Sequence, residues 1–297
     1  MPETRGTFIP MSAKRVAVLM YHHVAAQGGS LTVGVKQFES QISGLVRSGY
    51  RSLSAVEFAT FMDGGPLPHD KCVLITFDDG YLDNWVYAHP VLQRHGMQAV
   101  LFVITGLLGD GPVRPCEGQG TPLPPCPSHQ EAKALMFGDT PDQVMLRWSE
   151  VDAMRQAGTF EFHSHTHTHR RWDLECKEAE QKNQKMQEDL LQSRQALESR
   201  LGAASSHLCW PQGYFDDDYV QVAGEVGFRY LYTTDARGQN MAGGNPGHIY
   251  RFAVRNRPYS WLRQRLWLAT HPLFGSWYNA WKARSDARKQ RRKAGLA

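Results

Sequence analysis

Short uninterrupted apolar runs alternate with amphipathic stretches along this chain. Val16-Ala-Val-Leu-Met-Tyr21, Val73-Leu-Ile-Thr-Phe77 and Ala99-Val-Leu-Phe-Val-Ile-Thr105 are apolar with no polar face. Runs of that length predict strands buried on both sides. Between the first two, Phe38, Ile42, Leu45 and Val46 fall at helical spacing, with Gly49 as a stop. Residues 84–95 predict a second helix closed by Gly96. Strand, helix and strand joined by short links are the mark of a parallel sheet. Further on, residues 148–158 predict a helix capped by Ser149, 159–162 a short strand, and 174–201 a long, solvated helix ending at Gly202. Residues 207–210, 230–234 and 249–254 predict further strands. Residues 106–141 break the rhythm with Gly and Pro. They are expected to form a long loop over the functional end of the sheet.

Length and composition narrow the class. The chain has 297 residues, 41% hydrophobic and 21% charged, which is ordinary globular usage and excludes disorder, collagen and coiled coil. No window of the sequence has the apolar length of a transmembrane helix. No internal repeat and no Gly-rich phosphate loop occurs. The first residues lack an apolar signal core, so the expected location is the cytoplasm. Five cysteines, an odd count, are expected to be reduced there.

Charge changes the picture at one end only. From residue 251 to 297 there are 12 Lys and Arg against one acid, Asp286, while the preceding 250 residues carry 21 basic and 28 acidic side chains. Phe274, Trp277, Tyr278 and Trp281 follow amphipathic spacing, with Lys282, Arg284, Arg288, Lys289, Arg291, Arg292 and Lys293 close behind. Aromatic residues beside cations suit the interface of an anionic membrane. No nucleic-acid partner is expected, because no binding module accompanies the charge. The expected organisation is a flexible start at 1–14, a catalytic domain at 15–258, and a basic amphipathic extension at 259–297.

Two clusters carry the chemistry. Thr76-Phe-Asp-Asp-Gly80 puts adjacent acids at the end of a buried strand, where parallel α/β folds build their sites. Neighbouring carboxylates repel and need a cation or a shared proton. His163-Ser-His-Thr-His-Thr-His169 holds four histidines in seven residues. On one helical turn, His165 and His169 could hold one metal. A carboxylate, two imidazoles and an open position describe a catalytic metal site, with the second aspartate as base. Such donors suit Zn²⁺ best, though Co²⁺, Ni²⁺ or Fe²⁺ would fit the same atoms. Cys116, Cys126 and His129 supply only three of the four ligands of a structural zinc set and read as ordinary loop residues.

At these residues the chain resembles the polysaccharide deacetylases with a NodB-like domain, carbohydrate esterase family four. The resemblance covers Leu19-Met-Tyr-His-His-Val24, Thr76-Phe-Asp-Asp-Gly80, Arg147-Trp-Ser-Glu150, the Glu161 to His169 stretch, and Trp210-Pro-Gln-Gly213. It implies a distorted TIM-like (β/α) barrel, often seven-stranded, and removal of acetyl groups from N-acetylhexosamine residues of a glycan or glycolipid. By the same resemblance Asp79, His165 and His169 are metal ligands and Asp78 is the base. The backbone of Gln212 would hold the oxyanion, with Trp210 beside the substrate. His163 would stand just behind the ligands. Cys209 stands where many relatives have an arginine, so the group restraining Asp78 must come from elsewhere, and Arg251 is the candidate. Tyr21 and His22 could line the barrel floor, but core packing is the expected role for both. Asp235 reads as a turn acid. The family's late general-acid histidine has no clear match, although His248 and His271 lie in that half of the chain. A degenerate carbohydrate-binding relative is the alternative reading, opposed by the presence of all four site residues, as is a deacetylase acting on exported polysaccharide. With the enzyme inside the cell, the expected substrate is a lipid-linked or lipopolysaccharide-core intermediate on the inner face of the cytoplasmic membrane.

Overall fold

A computed structural model describes residues 15–203 and 205–271. The apolar runs form strands β1 (Arg15–Tyr21), β2 (Cys72–Phe77) and β3 (Ala99–Val103), followed by β4 (Phe160–Ser164), β5 (His207–Cys209), β6 (Tyr230–Tyr232) and β7 (Phe252–Ala253). All neighbours pair in parallel, in the order β7-β1-β2-β3-β4-β5-β6. The stretch carrying β7 also bridges Tyr232 through Ile249. One short segment therefore meets both ends of the sheet and curls it into the expected distorted barrel. Arg51–Ser52 adds a parallel pair to β2, and Asn240–Met241 an antiparallel one to β1.

Both faces of these strands are covered, which is why their sequences show no alternation. Ala17, Leu19, Ile75, Phe77, Leu101 and Phe162 face outward in one cluster, against Phe38, Ile42 and Leu45 of helix α1 (Val35–Arg47). Val16, Val18, Leu74, Val100, Phe102, Tyr232 and Ile249 form the inner cluster with Phe58 and Phe61 of α2 (Ala55–Met62). Helix α2 is fixed at the N-terminal end of the barrel, where the Glu161 carboxylate accepts from the Ala55 N–H at 2.8 Å.

The remaining helices follow the pattern with local departures. Residues 84–94 form a π-helical turn that runs into α3 (His89–Arg94). The 106–141 stretch is not loop throughout. Its Ser128 and Glu131 make a reciprocal cap that starts α4 (His129–Met136), and Ala132 and Met136 pack on Tyr81, Ile104 and Met145. Helix α5 (Trp148–Gln156) is capped not by Ser149 but by Arg147 and Glu150, whose carboxylate accepts from the Arg147 N–H at 2.9 Å. Ser149 instead donates to the Gly111 carbonyl. The long polar helix is broken into α6 (Trp172–Glu175) and α7 (Ala179–Leu201), which ends at left-handed Gly202 and buries Met186, Leu190 and Leu197. After α8 (Asp217–Val226), α9 (Tyr259–Thr270) buries Leu262 and Leu266 in the outer cluster. The first turns of the basic extension thus pack on the barrel. Its Trp277 and Trp281 face and the cations after it lie outside the described residues, as does the stretch 1–14. No helix among the described residues is long and apolar enough to cross a membrane.

Phe102 fills the barrel interior and is fully buried. Phe102→Ala should cost about 3–5 kcal/mol of unfolding free energy, while Leu174→Ala, at a position 74% exposed, should stay within about 0.5 kcal/mol. Urea titrations of the two variants make the comparison.

Candidate active site

The C-terminal ends of the strands carry the polar groups. Asp78 and Asp79 follow β2. A regular strand would turn consecutive side chains to opposite faces. Asp79 has left-handed backbone (φ 77°), and both carboxylates line one cavity of ≈ 290 Å³. His22, Tyr81, His165, His169, Trp210 and Gln212 share that cavity.

Asp78 is clamped. The Arg251 guanidinium donates to its two oxygens at 2.7 and 2.9 Å, a bidentate pair with both side chains buried. Arg251 also donates to the Thr233 carbonyl at 2.8 Å and meets Thr76 Oγ1 at 3.1 Å and Cys209 Sγ at 2.9 Å. Burial alone would raise the Asp78 pKa, but Arg251 outweighs it and holds the carboxyl below the usual range. The arginine missing before Trp210 is replaced in space by one from the far end of the chain.

His165 and His169 do not lie on a helical turn. His165 follows β4, and Thr166 (φ 64°) and His169 (φ 59°) are left-handed, which a right-handed helix excludes. The loop is tied down by buried Asp189 of α7. Its carboxylate accepts from the N–H groups of His167 and Thr168 at 2.6 and 2.9 Å, and from the Trp172 indole at 2.9 Å. His165 Nδ1 donates to the Cys209 carbonyl at 2.8 Å, leaving Nε2 as the free lone pair. That atom stands 3.2 Å from Asp79 Oδ1, and His169 Nε2 stands 3.6 Å from the same oxygen.

Asp79, His165 and His169 fit a cation. Their donor atoms all lie within 4.8 Å of one another, and one carboxylate with two imidazoles is a zinc-type set. Charge points the same way. Two buried carboxylates face one arginine. His165 takes up the difference: burial lowers its pKa, but its Cys209 and Asp79 neighbours raise it well above the ordinary value. His169 is pushed down to about 4, by burial first and then by His165. With His165 neutral and its Nε2 lone pair free, the pocket is short of a positive charge, which a divalent ion would supply.

Other expected residues are placed differently. His163 is not behind the ligands. It points into the barrel, bonds Ser205 Oγ at 2.6 Å and packs on His207. Trp210 lines the cavity, but its indole is buried between Phe215 and Tyr219. Gln212 (φ 54°) precedes Gly213, where a Cβ would come within 2.0 Å of Thr234 Oγ1, so this turn requires glycine. Tyr21 packs on Phe77 in the core, as expected. Asp235 accepts from Arg237 as a turn acid. His248 packs by Phe215 and Tyr250, and His271 by Trp267, neither lining the cavity. Cys116 and Cys126 are free thiols. The residue that sequence reasoning undervalued is His22. It ends β1 as Asp78 ends β2, and its Nε2 lies 3.9 Å from Asp78 Oδ2. Asp189 gave no signal, being one acid among many on a polar helix.

Residues 66–231 match the family model described as polysaccharide deacetylase. The chain belongs to that family. YxkH of Bacillus subtilis, named for polysaccharide deacetylases, is 42% identical over 95 residues, 32% of this chain, and the match spans 34% of YxkH. The poly-beta-1,6-N-acetyl-D-glucosamine N-deacetylase of Staphylococcus aureus is 24% identical over 243 residues, covering 79% of this chain and 71% of that one. Among solved structures, the Streptococcus pyogenes deacetylase PplD superposes with a TM-score of 0.66 at 20% identity, over 85% of this chain and 98% of that one. IcaB from Ammonifex degensii gives 0.64 at 22% identity, over 86% and 97%. These likenesses establish a deacetylase-type fold.

The Arg251 clamp makes a stability prediction. Arg251→Met leaves Asp78 buried and unpaired, at a cost of about 3–5 kcal/mol at neutral pH. A depressed carboxyl stabilises above its unfolded pKa and loses that contribution as pH falls through its folded pKa. The variant's Asp78 instead protonates early and sheds its penalty. The gap between parent and variant should therefore narrow by about pH 4. Urea unfolding at the two pH values measures it, and a gap independent of pH contradicts the clamp.

Proposed function

We propose that this chain is a metal-dependent amide hydrolase that removes acetyl groups from N-acetylhexosamine residues of a glycan. The pairing of an arginine-clamped Asp78 with a separate Asp79–His165–His169 donor set carries the reading: one carboxylate is reserved for proton transfer and the other for a cation. Asp79, His165 and His169 would hold Zn²⁺, or Co²⁺, Ni²⁺ or Fe²⁺. A bound divalent ion acidifies water and polarises an acyl oxygen. Asp78, kept ionised by Arg251, takes the proton of the attacking water. That proton must reach the departing amine, and His22, the imidazole beside Asp78, is the group to carry it. The backbone N–H of Gln212 would hold the developing oxyanion, a contribution of about 3–4 kcal/mol. Carbonyl attack, C–N cleavage and protonation release acetate and a free amino sugar.

The Staphylococcus aureus relative's name supports an N-acetylglucosamine polymer as the substrate class. The charge of residues 251–297 supports presentation at an anionic surface. The cytoplasmic leaflet has that character, and a lipid-linked glycan on it is the proposed natural form.

Chelation should abolish acetate release from N-acetylglucosamine oligomers, with recovery on adding Zn²⁺. Asp78→Asn should keep the metal and lose roughly 10²–10⁴ in rate. Asp79→Asn should lose metal about tenfold or more. Metal content by elemental analysis separates the two roles, and a reversed pattern overturns the assignment.

Neutralising Arg288, Lys289, Arg291, Arg292 and Lys293 tests the membrane part. Sedimentation with anionic vesicles should fall, each well-placed cation being worth on the order of 1 kcal/mol. Unchanged sedimentation at low and high salt refutes it and leaves the hydrolase standing.

A further inference from the structure

A buried charged pair lies beside the active site and takes no part in the chemistry above. His23 is 1% exposed, and its Nδ1 lies 2.6 Å from Asp83 Oδ2. The other Asp83 oxygen accepts from Asn84 Nδ2 at 2.9 Å, so the carboxylate is anchored on both sides. The His23 ring stacks on Tyr81 at 3.9 Å. Its remaining nitrogen, Nε2, lies 3.1 Å from His129 Nδ1. Three side chains, one just after β1, one at the start of the π-helical turn before α3 and one at the start of α4, make one line: His23, Asp83 and His129, with His23 in the middle.

Burying an ion pair is seldom favourable for stability alone, so its outward end is informative. Burial opposes charge on His23, but Asp83 outweighs it and raises the pKa. His129 is lowered, first by burial and then by the adjacent His23. A protonated His23 donates to both neighbours, to Asp83 through Nδ1 and to His129 through Nε2. His129 accepts at Nδ1 and is left with Nε2–H as a donor of fixed direction.

His129 sits at a junction. It lines the catalytic cavity together with Asp78, Asp79 and His165. It also lines a second cavity of ≈ 550 Å³, between residues 25–32 and 126–131, where Gln27, Ser30 and Gln130 offer polar side chains. That volume lies in the range of small-ligand sites. We infer that His129 is a substrate-positioning residue, oriented by the His23–Asp83 pair, that binds the sugar adjoining the acetylated one where the two cavities meet. This rests on the glycan hydrolase reading and adds to it a requirement for chain length.

The test uses the metal-loaded full chain and N-acetylglucosamine oligomers from one to five residues. The parent should show a kcat/KM that rises with length. In His129→Ala the tetramer-to-monomer ratio should fall about tenfold, the size of one well-directed hydrogen bond, and the loss should lie in KM. His129→Gln, which keeps an N–H donor, should recover part of it. His23→Phe keeps the stacking on Tyr81 but releases His129, and should reproduce the alanine result. Affinity for the deacetylated tetramer, by calorimetry, gives a readout free of turnover and should weaken in both. Equal losses on monomer and tetramer, a loss confined to kcat, or undiminished tetramer affinity in His129→Ala overturns the inference while the deacetylase reading stands. A parent that neither cleaves nor binds any oligomer overturns both.

Discussion

Two adjacent carboxylates at the end of a buried strand cannot coexist without opposite charge, and this constraint organises the molecule. Arg251 answers for Asp78. It reaches the aspartate only because residues 249–254 run between the first and last strands, bridging Tyr232 at one end and pairing Leu19 at the other. The same guanidinium binds Thr233 after β6, Cys209 in β5 and Thr76 in β2. Closing the barrel and ionising Asp78 are therefore one event. An arginine so buried, with a hydrogen-bond partner on each side, is tolerable only in a closed barrel.

Asp79 is answered differently. With Arg251 committed to Asp78, the protein offers it His165 and His169. Burial pushes His169 down while Cys209 and Asp79 raise His165, and the three donor atoms stand close enough to hold a cation. Asymmetry between neighbours is what lets two identical side chains hold different roles. The carboxylate bound to a fixed guanidinium stays ionised. The one facing His165 and His169 belongs to a donor set that could hold a cation.

The barrel was legible because its strands are buried on both faces and their apolar runs cannot be hidden. Asp78, Asp79, His165 and His169 were legible because acids and histidines concentrate at strand ends. What escaped depends on contacts distant in sequence. Asp189 is held to the histidine loop by tertiary packing, and a lone acid on a polar helix carries no mark of that. His163 sits elsewhere because it lies within β4, deeper than His165: His165 follows the strand's end at the cavity, while His163 packs inside the barrel on Phe102 and His207. The reading of His165 and His169 as a helical pair expected them side by side, but by the wrong geometry. Spacing of four satisfies a helix, but here two left-handed residues bring the imidazoles together. The 106–141 stretch concealed α4 because its cap, Ser128 to Glu131, follows a proline-rich run that reads as loop.

Backbone strain shows what kind of site this is. Among the described residues, five non-glycine positions have positive φ: Leu31, Asp79, Thr166, His169 and Gln212. Four of them line the catalytic cavity, and Thr166 lies within the histidine loop. Left-handed backbone at such residues costs on the order of 1 kcal/mol or more each, and persists only where surrounding contacts impose it. Here those contacts are visible: Asp189 on the loop, Ile104 on the Asp79 carbonyl at 3.3 Å, and the Gly213 turn beside Gln212. The barrel bears this cost before any substrate arrives. Asp78, Asp79, His165, His169 and the Gln212 turn are consequently held in place by folding, which is the arrangement electrostatic preorganisation requires.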